Sequence, residues 1–207
     1  MKYRLLIVLA MVLVGVYFYN ALPDPMPTHW NFAGQVDDYG AKIWAAWLLP
    51  GVALLMTLLF PVLAKIDPRH KNYEKFKTVW EIFQSTFVIF FAYIYGVMLY
   101  IILAGAEGDT MGRMMFVGIG ILFVILGNYM GKIRWNYFVG IKTPWTLNDQ
   151  EVWQRTHRLG GWAFVLAGII FLLQAWWYQN LGWVFGLVIA GVVVVPVVYS
   201  YIISPKK

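Results

Sequence analysis

The longest uncharged stretch of this sequence runs from Leu159 to Pro205, and it constrains the fold more than any other feature. As one helix rising 1.5 Å per residue it would measure about 70 Å, more than twice the roughly 30 Å core of a bilayer. The stretch must therefore fold back on itself, and its clearest turn-forming sequence is Gln179-Asn180-Leu181-Gly182. Two membrane spans are predicted here, near residues 159–178 and 183–203.

Four further apolar runs precede this stretch, and each is close to the length that a spanning helix needs: Tyr3–Asn20, Ile43–Ala64, Ile82–Ala106 and Met114–Gly131. The first run has the basic start of a signal peptide, but no A-x-A-like cleavage pattern follows it, so we predict a retained span. Only 13% of the residues are charged, against about 25% in soluble domains. We expect an all-α polytopic membrane protein with six transmembrane helices.

The positive charges predict the orientation of these spans. If both termini are cytoplasmic, all of the 16 Lys and Arg residues except Lys42 and Arg113 lie on the cytoplasmic side. The acidic residues divide evenly between the two sides, so the bias is specifically basic, as the positive-inside rule requires. The predicted topology has one outer polar loop (21–42), a short outer turn (107–112) and two inner polar loops (65–81 and 132–158). Basic residues in a membrane protein usually set its orientation, so the net charge of +6 predicts no direct contact with nucleic acid.

The outer polar segment Leu22–Lys42, which we call the outer island, begins with three prolines at alternate positions. Proline fixes φ and favours an extended conformation in the residue before it, so the segment starts as a stiff, non-helical strap. A metal or acid–base cluster of one histidine with scattered aspartates is an alternative, but it matches no established ligand spacing. A structural cap or partner-binding surface is predicted, formed by Pro23, His29, Trp30, Asn31, Asp37 and Asp38.

The segment Asn128–Trp162, which we call the inner island, is far richer in distinct polar groups than a simple connector needs. Gly140 and Pro144 exclude one regular helix across its centre. Thr146 or Asn148 is the expected N-cap of a helix that leads into the fifth span. The face of that helix that is expected to pack carries Val152, Trp153, Thr156, Leu159 and Gly160, whereas Gln154, Arg155 and Arg158 lie largely off it.

Two interpretations of the inner island remain open. Any single residue can be explained by packing of the loop against the inner ends of the spans. The variety of polar groups in the island as a whole instead favours a partner-binding surface. The residues predicted to form that surface are Asn136, Gly140, Lys142, Thr143, Pro144, Trp145, Thr146, Trp153, His157 and Arg158.

The inner-island sequence NYFVGIKTPWTLND-x-x-VW-x-x-TH resembles the bacterial SdpI family. The outer island resembles the domain of unknown function that often precedes it. Members of the SdpI family give immunity to a secreted peptide toxin, and some tether a cytoplasmic repressor when toxin is present. The resemblance implies a receptor in the bacterial cytoplasmic membrane, in contact with the lipid bilayer, an extracellular peptide toxin and a cytoplasmic transcriptional repressor. It also implies one membrane domain over 1–207, with a two-span unit (1–64) and an SdpI-like three-span unit (114–203).

Two other classes of function are alternatives to this one. A small membrane transporter or channel is the main alternative, although a transporter is expected to carry ionisable groups at mid-membrane depth and the predicted spans hold none there. An intramembrane enzyme would need an activated nucleophile, a metal set or a paired acid and base. The chain has no cysteine, and the predicted topology separates His29 from His70 and His157. We therefore predict no enzymatic activity, no metal site and no cofactor.

Overall fold

The computed structural model describes residues 1–31, 34–106, 109–177 and 182–205. Within these residues, six helices are long and apolar enough to cross a membrane, which confirms the six predicted spans. They are α1 (Lys2–Phe18, continued by a 3₁₀ turn over Tyr19–Ala21), α2 (Lys42–Ile66), α4 (Lys77–Ala104), α5 (Thr110–Met130), α7 (Gln150–Trp176) and α8 (Gly182–Ile202). Two short helices, α3 (Lys71–Glu74) and α6 (Pro144–Asn148), lie in the inner polar loops. The predicted turn at 179–181 falls outside the described residues.

The outer island folds into a two-stranded antiparallel sheet, an element that the sequence-based expectations lack. Strand β1 (Met26–Trp30) pairs with β2 (Val36–Gly40), with Trp30 opposite Val36. An isolated two-stranded hairpin is at best marginally stable in water, so it needs support from other elements. Buried Leu22 and Met26 provide that support, because they belong to the apolar core formed with α1, α2 and α4.

The long helices fall into two groups. Helices α1, α2 and α4 pack against one another, and α5, α7 and α8 form the second group, with α4 and α5 making the main contact between the groups. Helix α4 therefore packs with the first two spans. The division into a two-span unit (1–64) and a three-span unit (114–203) stays a prediction.

Glycine pairs bring the backbones of α5 and α7 close together. Gly127 faces Gly161, and a Cβ on either one would lie 2.6 or 2.7 Å from the carbonyl oxygen of the other. Gly120 and Gly168 face each other in the same way, seven residues earlier in α5 and seven residues later in α7. Small residues permit such close packing in a membrane, where lipid tails remove the hydrophobic drive for helix association. These pairs fix α7, and with it the loop that precedes α7, against α5.

At the end of the bundle that carries the inner polar loops, a single apolar cluster joins the two helix groups. Buried Trp80 and Phe83 of α4 pack there with Leu126 and Met130 of α5. Fully buried Trp153 of α7 belongs to the same cluster. We call this end of the molecule the inner end, and the end that carries the hairpin the outer end.

Candidate partner-binding faces

Asn136 organises the first half of the inner island. Its side chain is completely buried, and its Oδ1 accepts hydrogen bonds from the backbone N–H groups of Phe138 (2.9 Å) and Val139 (2.7 Å). Its Nδ2 donates to the carbonyl oxygens of Arg134 (2.8 Å) and Val139 (3.0 Å). An amide side chain has both donors and an acceptor, so one residue satisfies backbone groups that a non-helical loop would otherwise leave unpaired.

His157 of α7 holds the centre of the loop by a hydrogen bond. Its Nδ1 lies 2.7 Å from the carbonyl oxygen of Trp153, and its Nε2 lies 2.9 Å from the backbone nitrogen of Ile141. A carbonyl only accepts and a backbone N–H only donates, so the ring is neutral and carries its proton on Nδ1. The Trp153 ring stacks on the imidazole at 4.0 Å between centroids, and its indole N–H donates to the carbonyl oxygen of Ile133 (3.0 Å).

Gly140 is required where the loop passes over His157. Its φ is +121°, and a Cβ at this position would lie 2.2 Å from the Nε2 of His157. Both the positive φ and the close approach exclude a side chain. The sequence shows that Gly140 interrupts a helix, but the contact with His157 is visible only in the fold.

Thr143 and Thr146 close the second half of the loop. Thr143 is the N-cap of α6: its side chain accepts a hydrogen bond from the Thr146 N–H (3.1 Å), and the Thr146 hydroxyl accepts one from the Thr143 N–H (2.9 Å). This reciprocal pair is a capping box, and Pro144 occupies the first helical position, where no N–H is needed. The Thr143 hydroxyl also lies 3.1 Å from the Ser200 hydroxyl of α8, so the cap ties the loop to the last span.

The helix that follows begins as predicted, with one correction. Helix α7 starts at Gln150, and its N-cap is Asp149, which accepts from the N–H groups of Glu151 (2.7 Å) and Val152 (2.9 Å). Thr146 and Asn148, the two expected caps, lie instead within α6, because the sequence did not reveal that a short capped helix precedes α7. The residues of the predicted packed face are buried or half-buried; of the three predicted to lie off it, Arg155 and Arg158 are exposed and Gln154 is half-buried.

A buried carboxylate joins the two inner loops, and sequence reasoning missed it. Asp67, which is 1% exposed, accepts hydrogen bonds from the Arg69 N–H (2.7 Å) and the Tyr137 N–H (2.9 Å). The Tyr73 hydroxyl lies 3.1 Å from the same carboxylate and 3.3 Å from the Oδ1 of Asn136. Burial raises the pKa of Tyr73, and the charge of Asp67 raises it further, so the phenol stays protonated and donates. The Asp67-Pro68 dipeptide indicates a turn in the sequence, but not its partners.

Arg69 completes the junction between the inner loops. Its guanidinium lies 3.3 Å from the centroid of the Trp135 ring and 4.2 Å from that of the Tyr137 ring. It also donates to the carbonyl oxygen of Leu147 (3.1 Å), at the end of α6. The sequence counts this arginine among the basic residues that predict the orientation, and the structure adds a cation–π bridge within the protein.

The ten predicted inner residues therefore divide by exposure. Five are buried and shape the loop: Asn136, Thr143, Thr146, Trp153 and His157. Gly140 and Trp145 are half-buried, and the Trp145 ring packs against Tyr201 at 5.0 Å between centroids. The remaining three, Lys142, Pro144 and Arg158, are exposed.

The predicted outer residues lie on or near the hairpin. Four of them are exposed, namely Pro23, His29, Asp37 and Asp38, while Trp30 and Asn31 are half-buried. The Nδ1 of His29 lies 2.5 Å from a carboxylate oxygen of Asp37 across the two strands. Within the part of the chain that the structure describes, no group of three acidic, histidine or cysteine side chains is arranged to hold a metal ion.

Beneath the hairpin lies an apolar cavity of about 460 Å³. Residues 28–31 form its roof, and its walls come from α2 and α4 on one side and from α5 and α8 on the other. Trp30 contacts the apolar clusters of both sides. The cavity therefore occupies the cleft between the two helix groups at the outer end. No sequence pattern indicates it, because its walls come from helices that are far apart in the chain.

Comparisons with known proteins agree with this arrangement. Residues 132–200 match the SdpI/YfhL protein family, and residues 6–54 match a domain of unknown function, DUF1648. The chain is 27% identical over 166 residues to the Immunity protein SdpI of Bacillus subtilis (strain 168), covering 80% of the chain and 76% of that protein. No solved structure matches the chain.

The two matched regions coincide with the two islands. The SdpI/YfhL match covers most of the inner island together with α6, α7 and nearly all of α8. The DUF1648 match covers most of α1, the hairpin and the first half of α2. The resemblance predicted from the sequence is confirmed: the chain is a multi-pass bacterial membrane protein, with a region similar to the SdpI/YfhL family behind an N-terminal region similar to DUF1648.

Proposed function

We propose that this protein gives a bacterial cell immunity to a secreted, membrane-active peptide toxin. The observation that carries the proposal is the similarity to an immunity protein over 80% of the chain. A receptor of this kind needs a surface on each side of the membrane and no reactive groups. The outer hairpin and the inner loops supply two such surfaces at opposite ends of the bundle.

The two surfaces have different roles in this proposal. The hairpin presents His29, Trp30 and Asp37 on the side where a secreted toxin arrives. The inner island presents Lys142 and Arg158 to a cytoplasmic repressor, which the protein holds at the membrane when toxin is present. The buried residues of the inner island act indirectly, because they fix the shape of the loop that carries these exposed groups.

A complementation assay tests the immunity proposal. The chain is expressed in a Bacillus subtilis strain that lacks its own immunity protein SdpI, and survival is measured with and without exposure to the peptide toxin. We expect survival to rise over that of the empty vector. Equal killing of both strains, with the protein present in the membrane in normal amount, contradicts the proposal for that toxin.

Paired variants test whether the two faces have separate roles. Trp30→Ala with His29→Ala should reduce survival, because buried interface aromatics contribute about 2 kcal/mol or more, roughly thirtyfold in affinity. Trp145→Ala with Arg158→Ala should instead release a fluorescently tagged repressor from the membrane while leaving much of the protection. Membrane abundance is measured for both variants. If well-expressed variants lose both activities together, one conformational switch couples the faces and separate roles are excluded.

A further inference from the structure

The cavity at the outer end has the size and chemistry of a ligand site. Its volume of about 460 Å³ lies within the roughly 300–1,000 Å³ of typical ligand pockets. Its walls are apolar, with Leu48 of α2, Met98 of α4, Met115 of α5 and Phe185 of α8 among them. The polar groups are confined to the roof, where β1 crosses the cleft. A ligand that fits must therefore be apolar along its body and polar at one end.

The charge around the roof is negative. The outer island contains three aspartates and one lysine, and the exposed Asp37 and Asp38 lie on β2, the strand paired with the roof strand β1. The one lysine, Lys42, is occupied within the protein, because its ammonium group donates to the Leu22 carbonyl (2.8 Å) and lies over the Tyr19 ring. The polar end of the ligand is therefore expected to be basic.

We propose that this cavity receives an apolar segment of a cationic peptide, whose basic side chains meet Asp37 and Asp38. The inference rests on the proposed function and names the chemistry of the toxin that the site takes. Membrane-active peptides commonly combine an apolar face with lysine and arginine, which suits an apolar cleft below an acidic hairpin. Binding there would place the peptide between the two helix groups, where Trp30 contacts both sides.

A phospholipid is the competing occupant, and the charge at the roof disfavours it. A lipid acyl chain would fit the apolar walls, but its phosphate would then lie at the level of the hairpin. Like charges repel, so Asp37 and Asp38 oppose a phosphate and attract a lysine or arginine. The two occupants differ in the sign of the charge that strengthens binding, which makes them separable by experiment.

The test uses the full-length protein in nanodiscs and a synthetic helical peptide with a leucine-rich face and two lysines at one end. A second peptide carries glutamates in place of the lysines. Affinity is measured for the unaltered protein and for Met115→Trp, which fills the cavity from α5. The matched control is Leu103→Trp, on an exposed position of α4. We expect Met115→Trp to weaken binding roughly tenfold or more, and Leu103→Trp to leave it unchanged.

A surface variant keeps the test decisive if Met115→Trp fails to fold. Asp37→Asn with Asp38→Asn removes two exposed charges but keeps oxygen acceptors for the hydrogen bonds to His29 and to the Tyr39 N–H. We expect it to bind the lysine peptide up to about fivefold more weakly per charge, and to lose most of the preference over the glutamate peptide. Unchanged affinity and preference in this variant would overturn the proposal.

Native mass spectrometry identifies the alternative occupant. If the unaltered protein retains a phospholipid that Met115→Trp loses, while both bind the lysine peptide equally, the cavity is a lipid site and the proposal is wrong. The complementation assay then separates the two hypotheses. If Met115→Trp protects cells as well as the unaltered protein does, the proposed toxin site in the cavity is rejected, but the immunity proposal is not. If the peptide binds in the cavity but the protein gives no protection, the immunity proposal is rejected for the tested toxin, and the proposed peptide site is not.

Discussion

The inner end of the bundle is closed by buried polar contacts, whereas the outer end has its polar groups on a hairpin surface over an apolar cavity. Asp67, Asn136 and His157 are each almost completely buried and hydrogen-bonded to backbone groups of the loops. At the outer end, His29 and Asp37 pair on the exposed surface. A substitution at the inner end therefore leaves a buried partner unsatisfied, and one at the outer hairpin mainly changes a surface.

Because of this difference, substitutions at the inner end are expected to change mainly stability, and substitutions at the outer hairpin mainly binding. A buried polar group that loses its partner costs about 1–3 kcal/mol, whereas exposed ion pairs contribute about 0–1 kcal/mol. The inner island combines a rigid loop with a few exposed groups, and the outer island has more exposed groups on a less anchored element. The following predictions test this contrast, and the first tests which end faces which side of the membrane.

Cysteines introduced at the two ends should differ completely in their accessibility to an impermeant thiol reagent in intact cells. The protein has no native cysteine, and Asp38 and Asn148 are both exposed. Cysteine at Asp38 should react with an impermeant thiol reagent in intact cells, and cysteine at Asn148 should react only after permeabilisation. Labelling at Asn148 in intact cells would overturn the orientation with both termini in the cytoplasm.

Gly140→Ala should destabilise the inner end most. The new Cβ would lie 2.2 Å from the Nε2 of His157 at a φ of +121°, and overpacking and backbone strain together cost about 3–5 kcal/mol. We expect the Tm in detergent to fall by roughly 10 °C. Gly96→Ala is the matched control, because a Cβ there meets nothing within 4 Å and its Tm should change little. Equal Tm values for the two variants would contradict the described loop geometry.

Asp67→Ala should separate the two inner loops. It leaves the N–H groups of Arg69 and Tyr137 and the hydroxyl of Tyr73 without their acceptor, at a cost of about 3 kcal/mol. Hydrogen exchange of the 132–143 amides should accelerate, and the Tm should fall. Asp38→Ala at the outer end removes an exposed carboxylate and should change stability by less than about 0.5 kcal/mol. If Asp38→Ala lost more stability than Asp67→Ala, the contrast between the two ends would be contradicted.

Thr143→Ala should have the smallest of these effects. Loss of an N-cap costs about 1 kcal/mol, and the contact with Ser200 is lost with it. Thr143→Ser keeps the hydroxyl and should stay close to the unaltered protein in Tm. The comparison fails if Thr143→Ser is as destabilised as Thr143→Ala, because the loss then comes from the methyl group and not from the cap.

The sequence predicted some local features of the inner island and missed others. Gly140 and Pro144 predicted the absence of a regular helix, and the periodicity of 152–160 predicted the packed face of α7, because both depend on local backbone geometry. The expected N-cap, Thr146 or Asn148, was wrong, because two helices start within seven positions and their caps are Thr143 and Asp149. Asp67 was missed because its partner Tyr137 is 70 residues away in the chain.

The sequence by itself determined the number of spans, the polar islands and the resemblance to the SdpI family, because apolar length, charge distribution and local motifs are properties of contiguous residues. Only the tertiary structure decided the hairpin, the glycine pairs between α5 and α7, the polar junction of the inner loops and the outer cavity. Each of these depends on residues from separate elements, and their contacts form only when the helices pack. The outer cavity is the clearest case, because no contiguous part of the chain contains both its roof and its walls.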